Sequence, residues 1–331
     1  MRRERRLLVL TICLVLGGGL TGAVLASGGD GLPAGPGHAS GPASAAVYAD
    51  PREAAPWPTA PPPGPDASTG VVSVDCGRGE ERHLNQDNLV VSPGLAGGAH
   101  HTHAYVGNLS TDAMSTDESL AAAPTSCRGG DRSAYFWPVL RRPDRPGTRP
   151  YERAAGHGNE GEILAPAAVA VEFHGNRAGK VVAMPRFLRA MTGDAVAFTA
   201  ADAAGVRARW GCSGSPDRFT TAYPRCRSGE RVTRTLVFPS CWNGLETAPA
   251  ARDHLAFAAA NGVCPRGTFA VPELRLSLAY DVPPGVPLAL DSFPEQRHSP
   301  LTDHAMFVNV MTDAQMAEVV ACLNEGRRCR V

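Results

Sequence analysis

The sequence predicts an α+β fold, mainly β, in which a single β-rich, disulfide-linked domain has a helix at its C-terminal end. From residue 70 onward, short apolar runs alternate with turns rich in Gly and Pro, which is typical of a chain of short strands. Eight cysteines are spread over the same region. Its last part instead spaces its apolar residues as a helix does.

The N-terminus has the features of an export signal. Four arginines within residues 2–6 precede an apolar run over residues 7–26, and the run ends in Val24, Leu25 and Ala26. This order predicts a signal peptide over residues 1–26. The run is also close to the roughly 20 residues that cross a bilayer, so an uncleaved N-terminal anchor is the alternative. Both interpretations predict a secreted or extracellular protein, with membrane contact only through this segment.

Residues 27–69 are rich in Pro, Ala and Gly and end in a proline cluster at residues 61–65. Such a composition buries too little apolar surface to offset the entropy lost on ordering. We therefore predict a disordered linker over residues 27–69, either a stalk through a cell wall or a remnant of the leader. The globular domain is predicted to span residues 70–331.

The predicted strands are short and bounded by turn residues. Residues 232–238 are rich in β-branched side chains, and their first half alternates between apolar and polar residues. The full set of predicted strands is 88–91, 168–173, 181–187, 195–199, 232–238, 274–280 and 306–311.

One helix is predicted near the C-terminus. Thr312 and Gln315 have the spacing of a capping box, and Gly326 lies where a left-handed residue would end the helix. Between them, apolar residues recur at helical spacing: Ala314, Met316, Ala317, Val319, Val320 and Leu323.

The cysteines indicate a disulfide framework. Of the nine, Cys13 lies in the predicted signal, which leaves an even set of eight in an exported domain. Sequence alone cannot fix their pairing, but proximity suggests four bridges. These are Cys76–Cys127, Cys212–Cys226, Cys241–Cys264 and Cys322–Cys329.

The charge balance argues against nucleic acid as a partner. Lys+Arg 32 and Asp+Glu 32 give a net charge of 0, whereas binding to phosphates requires a basic face. Arg141, Arg142, Arg145 and Arg149 predict a local basic loop, which either contacts an anionic cell-wall polymer or is simply solvated.

A histidine-bearing loop over residues 99–108 is the most informative stretch. His101 and His103 are two residues apart, so an extended backbone places both imidazoles on one face. This spacing suits a divalent metal ion or an anionic sugar group, and a metal needs further ligands. A loop of solvated histidines is the alternative. The available partners are His174, His254, His304, Asp87, Asp253 and Asp303.

Several short blocks follow one another in a recognisable order. They are Val91-Ser92-Pro93-Gly94, His101-Thr102-His103, Gly107-Asn108, Ser126-Cys127, Asp131-Arg132-Ser133-Ala134-Tyr135-Phe136-Trp137-Pro138, Met191-Thr192-Gly193-Asp194, Phe238-Pro239-Ser240-Cys241-Trp242-Asn243-Gly244, His254, Cys264-Pro265, Val271-Pro272-Glu273-Leu274, and His304-Ala305 with Phe307 and Asn309. Over roughly residues 74–325, the chain in this way resembles the secreted bacterial and fungal proteins of the domain of unknown function 1996 family.

The resemblance implies an extracellular protein but no reaction. It also implies a shared ligand-binding surface in which aromatic rings could stack on a sugar. Trp242, beside Cys241, is better explained as a structural residue. The surface would comprise His101, His103, Tyr135, Trp137, Trp242, His254 and His304.

The chain departs from the family pattern where carboxylates are usual. Asn243 and Met306 replace aspartates, and Pro249-Ala250 replaces an Asp-His pair. Met311 replaces a tryptophan, and His100 stands where relatives have serine. Carboxylates are common general acids and hard-metal ligands, so an enzymatic activity would be weakened or lost here. In a site that binds sugar or metal, His100 would compensate in part.

Three functions remain open from the sequence. The first is an exported or cell-surface domain that binds carbohydrate or metal through the histidine loop. The second is a metal-assisted enzyme on extracellular polysaccharide, in which His101, His103 and His304 hold the ion and His254 or Asp303 moves protons. The third is a purely structural, wall-associated domain.

Overall fold

A computed structural model describes residues 47–153, 157–201 and 204–331. The predicted signal peptide and residues 27–46 of the predicted linker lie outside this range. The strands are β1 Tyr48–Ala49, β2 Val71–Val74, β3 Leu84–Asn85, β4 His103–Gly107, β5 Ala134–Pro138, β6 Leu140–Arg142, β7 Glu162–Leu164, β8 Ala168–His174, β9 Arg189–Gly193, β10 Trp210–Cys212, β11 Tyr223–Pro224, β12 Val232–Val237, β13 Cys241–Trp242, β14 Leu255–Ala256, β15 Phe269–Ala270, β16 Glu273–Tyr280, β17 Ala289–Leu290, β18 His304–Val308 and β19 Arg328–Arg330. The helices are α1 Asp117–Ala122, α2 Pro150–Arg153 and α3 Asp313–Asn324, with 3₁₀ turns at Pro51–Glu53, Pro294–Gln296 and Pro300–Thr302.

The larger sheet has six strands in the order β10-β12-β16-β8-β2-β19. All neighbours are antiparallel except β2 and β19, which are parallel. Its longest strand, β16, alternates as a half-buried strand should: Leu274, Leu276 and Leu278 are buried, whereas Arg275 points outward and is exposed.

The second sheet has five antiparallel strands in the order β3-β4-β5-β18-β9. Phe307 on β18 packs against Phe173 of β8, with ring centroids 6.0 Å apart, so the two sheets stack as a sandwich around the main core. The opposite face of the five-stranded sheet is also covered. There Phe136 and Met306 form a smaller core with Leu89 and with Leu120 of α1.

The aromatic triplet on β5 divides between these two cores, because successive strand residues point to opposite faces of the sheet. Tyr135 and Trp137 belong to the main core between the sheets, and Phe136 belongs to the smaller core. Strand β5 is buried along its whole length because both of its faces are covered.

Four of the seven predicted strands form, at 168–173, 232–238, 274–280 and 306–311, although the last is shifted to His304–Val308. The other three are wrong. Residues 88–91 turn because the Asn88 side chain accepts hydrogen bonds from the backbone N–H of Val90 and Val91. Residues 195–199 form tight turns closed by bonds such as Ala197 N–H to Asp194 O, and 181–187 forms no paired strand. Apolar content alone does not make a strand when local acceptors favour a turn.

The C-terminal helix forms as predicted. Thr312 accepts a hydrogen bond from the backbone N–H of Gln315, and the Gln315 side chain accepts one from the backbone N–H of Thr312. Gly326 lies just past the helix with φ of 71°, a left-handed conformation that glycine adopts without steric cost.

The four disulfides match the proximity pairing: Cys76–Cys127, Cys212–Cys226, Cys241–Cys264 and Cys322–Cys329. The last connects α3 to β19, which supplies the parallel edge strand beside β2. The domain is therefore β-rich and disulfide-linked, and its multiple disulfides suggest an extracellular location.

Residues 47–69 differ from the expected disordered linker. Tyr48 pairs with Tyr223 of β11, and the backbone N–H of Trp57 donates to the carbonyl of Asp217. Further along, the N–H of Gly64 donates to the carbonyl of Arg177. Two aromatic anchors and these backbone bonds offset the ordering entropy that the composition alone could not. Among the described residues, no helix has the length and apolarity to span a membrane.

Candidate functional site

Three histidines meet on the outer face of the five-stranded sheet. The Nε2 atom of His304 lies 3.2 Å from Nε2 of His101 and 3.5 Å from Nε2 of His103. All three side chains are almost completely buried, at 2%, 0% and 2% exposure for His101, His103 and His304. We call this set the histidine cluster.

The sheet register explains why the chain brings these residues together. His103, the first residue of β4, pairs with Pro138 of β5. On the other side of β5, Met306 pairs with Phe136, so His304 at the start of β18 is also level with Pro138. The two histidines are two strand spacings apart, about 9–10 Å. The short Pro138 ring between them leaves room for their imidazoles to meet.

Backbone carbonyls fix the tautomers of two of the rings. Nδ1 of His103 lies 2.9 Å from the carbonyl oxygen of Asp87, and Nδ1 of His304 lies 2.7 Å from that of Thr302. A carbonyl only accepts, so each Nδ1 carries the proton and each Nε2 directs its lone pair into the cluster. Nδ1 of His101 is buried, and no well-formed hydrogen bond to it occurs within the described residues.

The cluster is electrically neutral at neutral pH. Burial, reinforced by the nearby His304, lowers the pKa of His103 to about 3. Burial and the two neighbouring imidazoles lower the pKa of His101 well below its usual value, and the Ala99 backbone opposes this only in part. Burial likewise lowers the pKa of His304. Neutral imidazole is the form that binds metal ions.

The separations of the nitrogens match those around a tetrahedral metal ion. Zn–N bonds of about 2.0–2.1 Å at tetrahedral angles place two ligand nitrogens about 3.3–3.4 Å apart. The two observed distances, 3.2 Å and 3.5 Å, bracket this separation. The three residues also form a group whose candidate ligand atoms lie within 4.8 Å of one another.

Two aromatic rings enclose the cluster. Phe293 packs edge-on against His101, with ring centroids 5.3 Å apart, and Phe136 packs against His103 at 5.5 Å. His100 points away from the cluster. Its backbone has φ of 57° and its exposed ring lies beside His157, so it does not join the other histidines.

A buried ion pair supports the loop that carries two of the histidines. Asp291 accepts a hydrogen bond from the backbone N–H of Thr102, between His101 and His103, and pairs with Arg141. Both charged side chains are fully buried. The prediction of a solvated or polymer-binding Arg141 is therefore wrong. The sequence alone did not identify Asp291 as the acidic partner of Arg141. A charged Arg141 can be buried only beside such a partner.

The predicted ligand-binding aromatics Tyr135 and Trp137 lie in the main core. Both rings are essentially unexposed, and the Tyr135 hydroxyl donates to Asp131 at 2.6 Å. A ring without exposed surface cannot stack on a sugar, so these two assignments are wrong. The resemblance could not separate them from surface aromatics because it does not show which face of β5 is covered.

Asp303 does not face the histidine cluster, although it precedes His304 in the chain. Its carboxylate forms a two-bond ion pair with Arg234, and both side chains are fully buried. Adjacent strand residues point to opposite faces, which directs Asp303 toward the six-stranded sheet. The proposed proton-moving role of Asp303 at the cluster is therefore wrong.

His254 and Trp242 lie outside the histidine cluster. Nε2 of His254 donates to the carbonyl of Arg189 at 2.8 Å, while His304 pairs with Gly193 on the same strand β9. Arg189 and Gly193 are separated by about 13 Å of strand, so His254 does not reach the cluster. Trp242 donates to the carbonyl of Glu246 and holds a turn, in keeping with a structural residue.

The other candidate ligands are also outside the cluster. Only the backbone carbonyl of Asp87 contacts it, because the carboxylate accepts from the N–H groups of Gly97 and Ala113. His174 pairs with Glu172 on the six-stranded sheet, and Asp253 is exposed.

The residues that depart from the family pattern do not belong to the histidine cluster. Asn243 caps a turn by accepting from the N–H of Leu245, and Met311 is buried in the main core. Met306 shares a face with His304, but it packs in the smaller core. The missing carboxylates therefore leave all three imidazoles in place.

The family model described as "Domain of unknown function (DUF1996)" matches residues 88–302, more than half of the chain. The chain therefore belongs to this family. The matched region contains His101 and His103 and ends just before His304. No curated protein matches the chain, and no solved structure matches it either.

Proposed function

We propose that this member of the DUF1996 family is an exported metal-binding protein that holds one divalent transition-metal ion through His101, His103 and His304. The observation that carries the proposal is the convergence of three buried Nε2 atoms, two of them in rings whose Nδ1–H is already bound to a carbonyl. Metal-bound histidines commonly donate their second ring N–H in this way.

A cation would relieve a conflict within the cluster. With protons on Nδ1 of both His103 and His304, two lone pairs face each other across 3.5 Å with no hydrogen between them. Protonating the pair is costly because burial lowers both pKa values. A metal ion accepts both lone pairs at once and also takes that of His101.

The donor set indicates which ions fit. Imidazole nitrogen suits Zn²⁺, Cu²⁺ and Ni²⁺, whereas Mg²⁺ and Ca²⁺ prefer oxygen ligands. The cluster brings together three imidazoles and no carboxylate among the described residues. Zn²⁺ is therefore the first ion to test, with Ca²⁺ as the negative comparison.

Three protein ligands leave a fourth position, as in catalytic zinc sites where water occupies it. That count favours the metal-assisted enzyme as a second candidate function. The near-complete burial of all three histidines instead favours a small fourth ligand over a polysaccharide chain. Metal binding is thus the primary proposal, and hydrolysis of an extracellular polymer is secondary.

The test is isothermal titration of Zn²⁺ into the full chain, purified with its disulfides formed and stripped with a chelator. We expect one ion per chain, and loss of that binding in H101A, H103A and H304A. The matched control is H174A, which removes a half-buried histidine from the other sheet. Absence of binding in the native chain, or an equal loss in H174A, would overturn the proposal.

A further inference from the structure

A second concave site lies on the outer face of the six-stranded sheet, away from the core. Its groove has a volume of about 840 Å³, within the range of about 300–1,000 Å³ typical of ligand sites. One side is formed by residues 57–63 and the other by residues 257–262. We call it the arginine groove, after Arg207, Arg209 and Arg275 in its lining.

The sheet register places these arginines side by side. Trp210 pairs with Arg234, and the N–H of Thr235 donates to the carbonyl of Arg209, so Arg209 continues the edge of the sheet next to β12. Arg275 on β16 pairs with Val237 of β12. Three guanidinium groups thus share one end of the outer face.

Two of the guanidiniums are held by aromatic rings. The Arg209 guanidinium lies 3.9 Å from the ring centroid of Trp57, and that of Arg207 lies 4.7 Å from the ring of Phe257. Nη1 of Arg207 also donates to the carbonyls of Ala204 and Val206, at 2.7 Å and 2.9 Å, which leaves the Nε and Nη2 side of that guanidinium for a ligand. Two N–H groups on one side of a guanidinium match a carboxylate in a two-bond arrangement. The arginines are therefore oriented before any ligand arrives.

Arg209 has a half-buried charge that no carboxylate contacts directly in the described part of the chain. The nearest balancing charge is Glu273, which also lines the groove but pairs with Arg275 at 2.7 Å. Burial and the charges of Arg275 and Arg207 lower the pKa of Arg209, and Glu273 opposes this only in part. A buried charge is ordinarily paired, so this guanidinium lacks the partner that a ligand would supply.

We propose that the arginine groove binds an acidic oligosaccharide, whose carboxylates pair with Arg207 and Arg209. Trp57 and Phe257 retain 48% and 39% exposure, so ring surface remains for the C–H faces of sugar units. The disulfides suggest an extracellular location, where acidic polysaccharides occur, and the net charge of 0 argues against nucleic acid.

The experiment measures binding of tetragalacturonic acid to the full chain by isothermal titration, with its methyl-esterified form as the neutral comparison. We expect the acid to bind and the ester not to bind. R209A should weaken the affinity about tenfold or more, because it removes a charge-assisted pair with the ligand carboxylate. R207A should weaken it similarly. The control R128A removes a highly exposed arginine paired with Asp75 and should change nothing.

Three results of these titrations would overturn the proposal, and a comparison with citrate adds a fourth. They are no binding of the acid, equal binding of the ester, or equal affinities for native protein, R209A and R207A. Citrate provides a further comparison, because an affinity for citrate equal to that for the oligosaccharide would show a simple anion site and also contradict the proposal. Zn²⁺ binding by R209A is measured in parallel and should equal that of the native chain, so a misfolded variant is recognised.

Discussion

The two outer faces of the sandwich differ in the charge of their ionisable side chains. On the five-stranded sheet, burial removes the charge from three histidines and leaves their lone pairs available. On the six-stranded sheet, the arginines remain charged, half-exposed and stacked on rings. A buried imidazole can lose its proton and become neutral. A guanidinium stays charged, so a half-buried guanidinium needs an anion beside it. One face is suited to a cation and the other to an anion.

The largest expected effect concerns the ion pair that lies between the two faces. Arg234 is fully buried, and although burial opposes its charge, the Asp303 carboxylate raises its pKa overall. D303A would leave that guanidinium unpaired and should lower the free energy of unfolding by about 3–5 kcal/mol. Urea denaturation measures this change. A loss below about 1 kcal/mol would mean that the pair does not stabilise the sandwich.

Zinc should stabilise only chains with an intact histidine cluster. At a free concentration of about 100 times Kd, a ligand that binds only the folded state adds about 2.7 kcal/mol. Urea denaturation with and without Zn²⁺ should show this gain in the native chain and in R209A, but not in H103A. A comparable gain in H103A would place the zinc outside the cluster.

The binding affinities of the two faces should also differ in their dependence on salt. Pairing between half-exposed guanidiniums and carboxylates is screened over about 10 Å at 0.1 M salt and about 3 Å at 1 M. Raising NaCl from 0.1 M to 1 M should weaken tetragalacturonate binding markedly. Zn²⁺ affinity should change little, because neutral, buried ligands hold the ion. Titrations in Tris-buffered NaCl compare the two, and equal sensitivity would contradict the distinction.

The smallest expected effect is that of a substitution in α3, which lowers stability without changing a residue of either site. Thr312 caps α3 through the N–H of Gln315, and T312A should cost about 1 kcal/mol of unfolding free energy. Both affinities should be unchanged in this variant. If T312A weakened zinc or oligosaccharide binding, losses in the other variants could not be attributed to their own contacts.

The part of the site that follows local rules was predictable from the sequence. His101 and His103 share a face because strand residues alternate, and the capping box of α3 is likewise local. His304 was one of six candidate partners from the sequence, and the family resemblance also placed it on the shared surface. Only the sheet register, which brings His304 level with Pro138, distinguishes it from the other five.

What could not be predicted depends on distant parts of the chain. Tyr135 and Trp137 were predicted to bind ligand because the local sequence pattern does not reveal that a second sheet covers them. The arginine groove combines Trp57 with Arg209 and Arg275, and nothing in any one of these segments identifies the others. Trp57 also lies within the segment expected to be disordered.

Zinc K-edge X-ray absorption on the full chain, loaded with one equivalent of Zn²⁺, identifies the ligands of the bound ion. We expect a first shell with three imidazole nitrogens at about 2.0–2.1 Å, and loss of imidazole scattering in H304A. A shell of oxygen alone, or a spectrum unchanged in H304A, would contradict the three-histidine metal site.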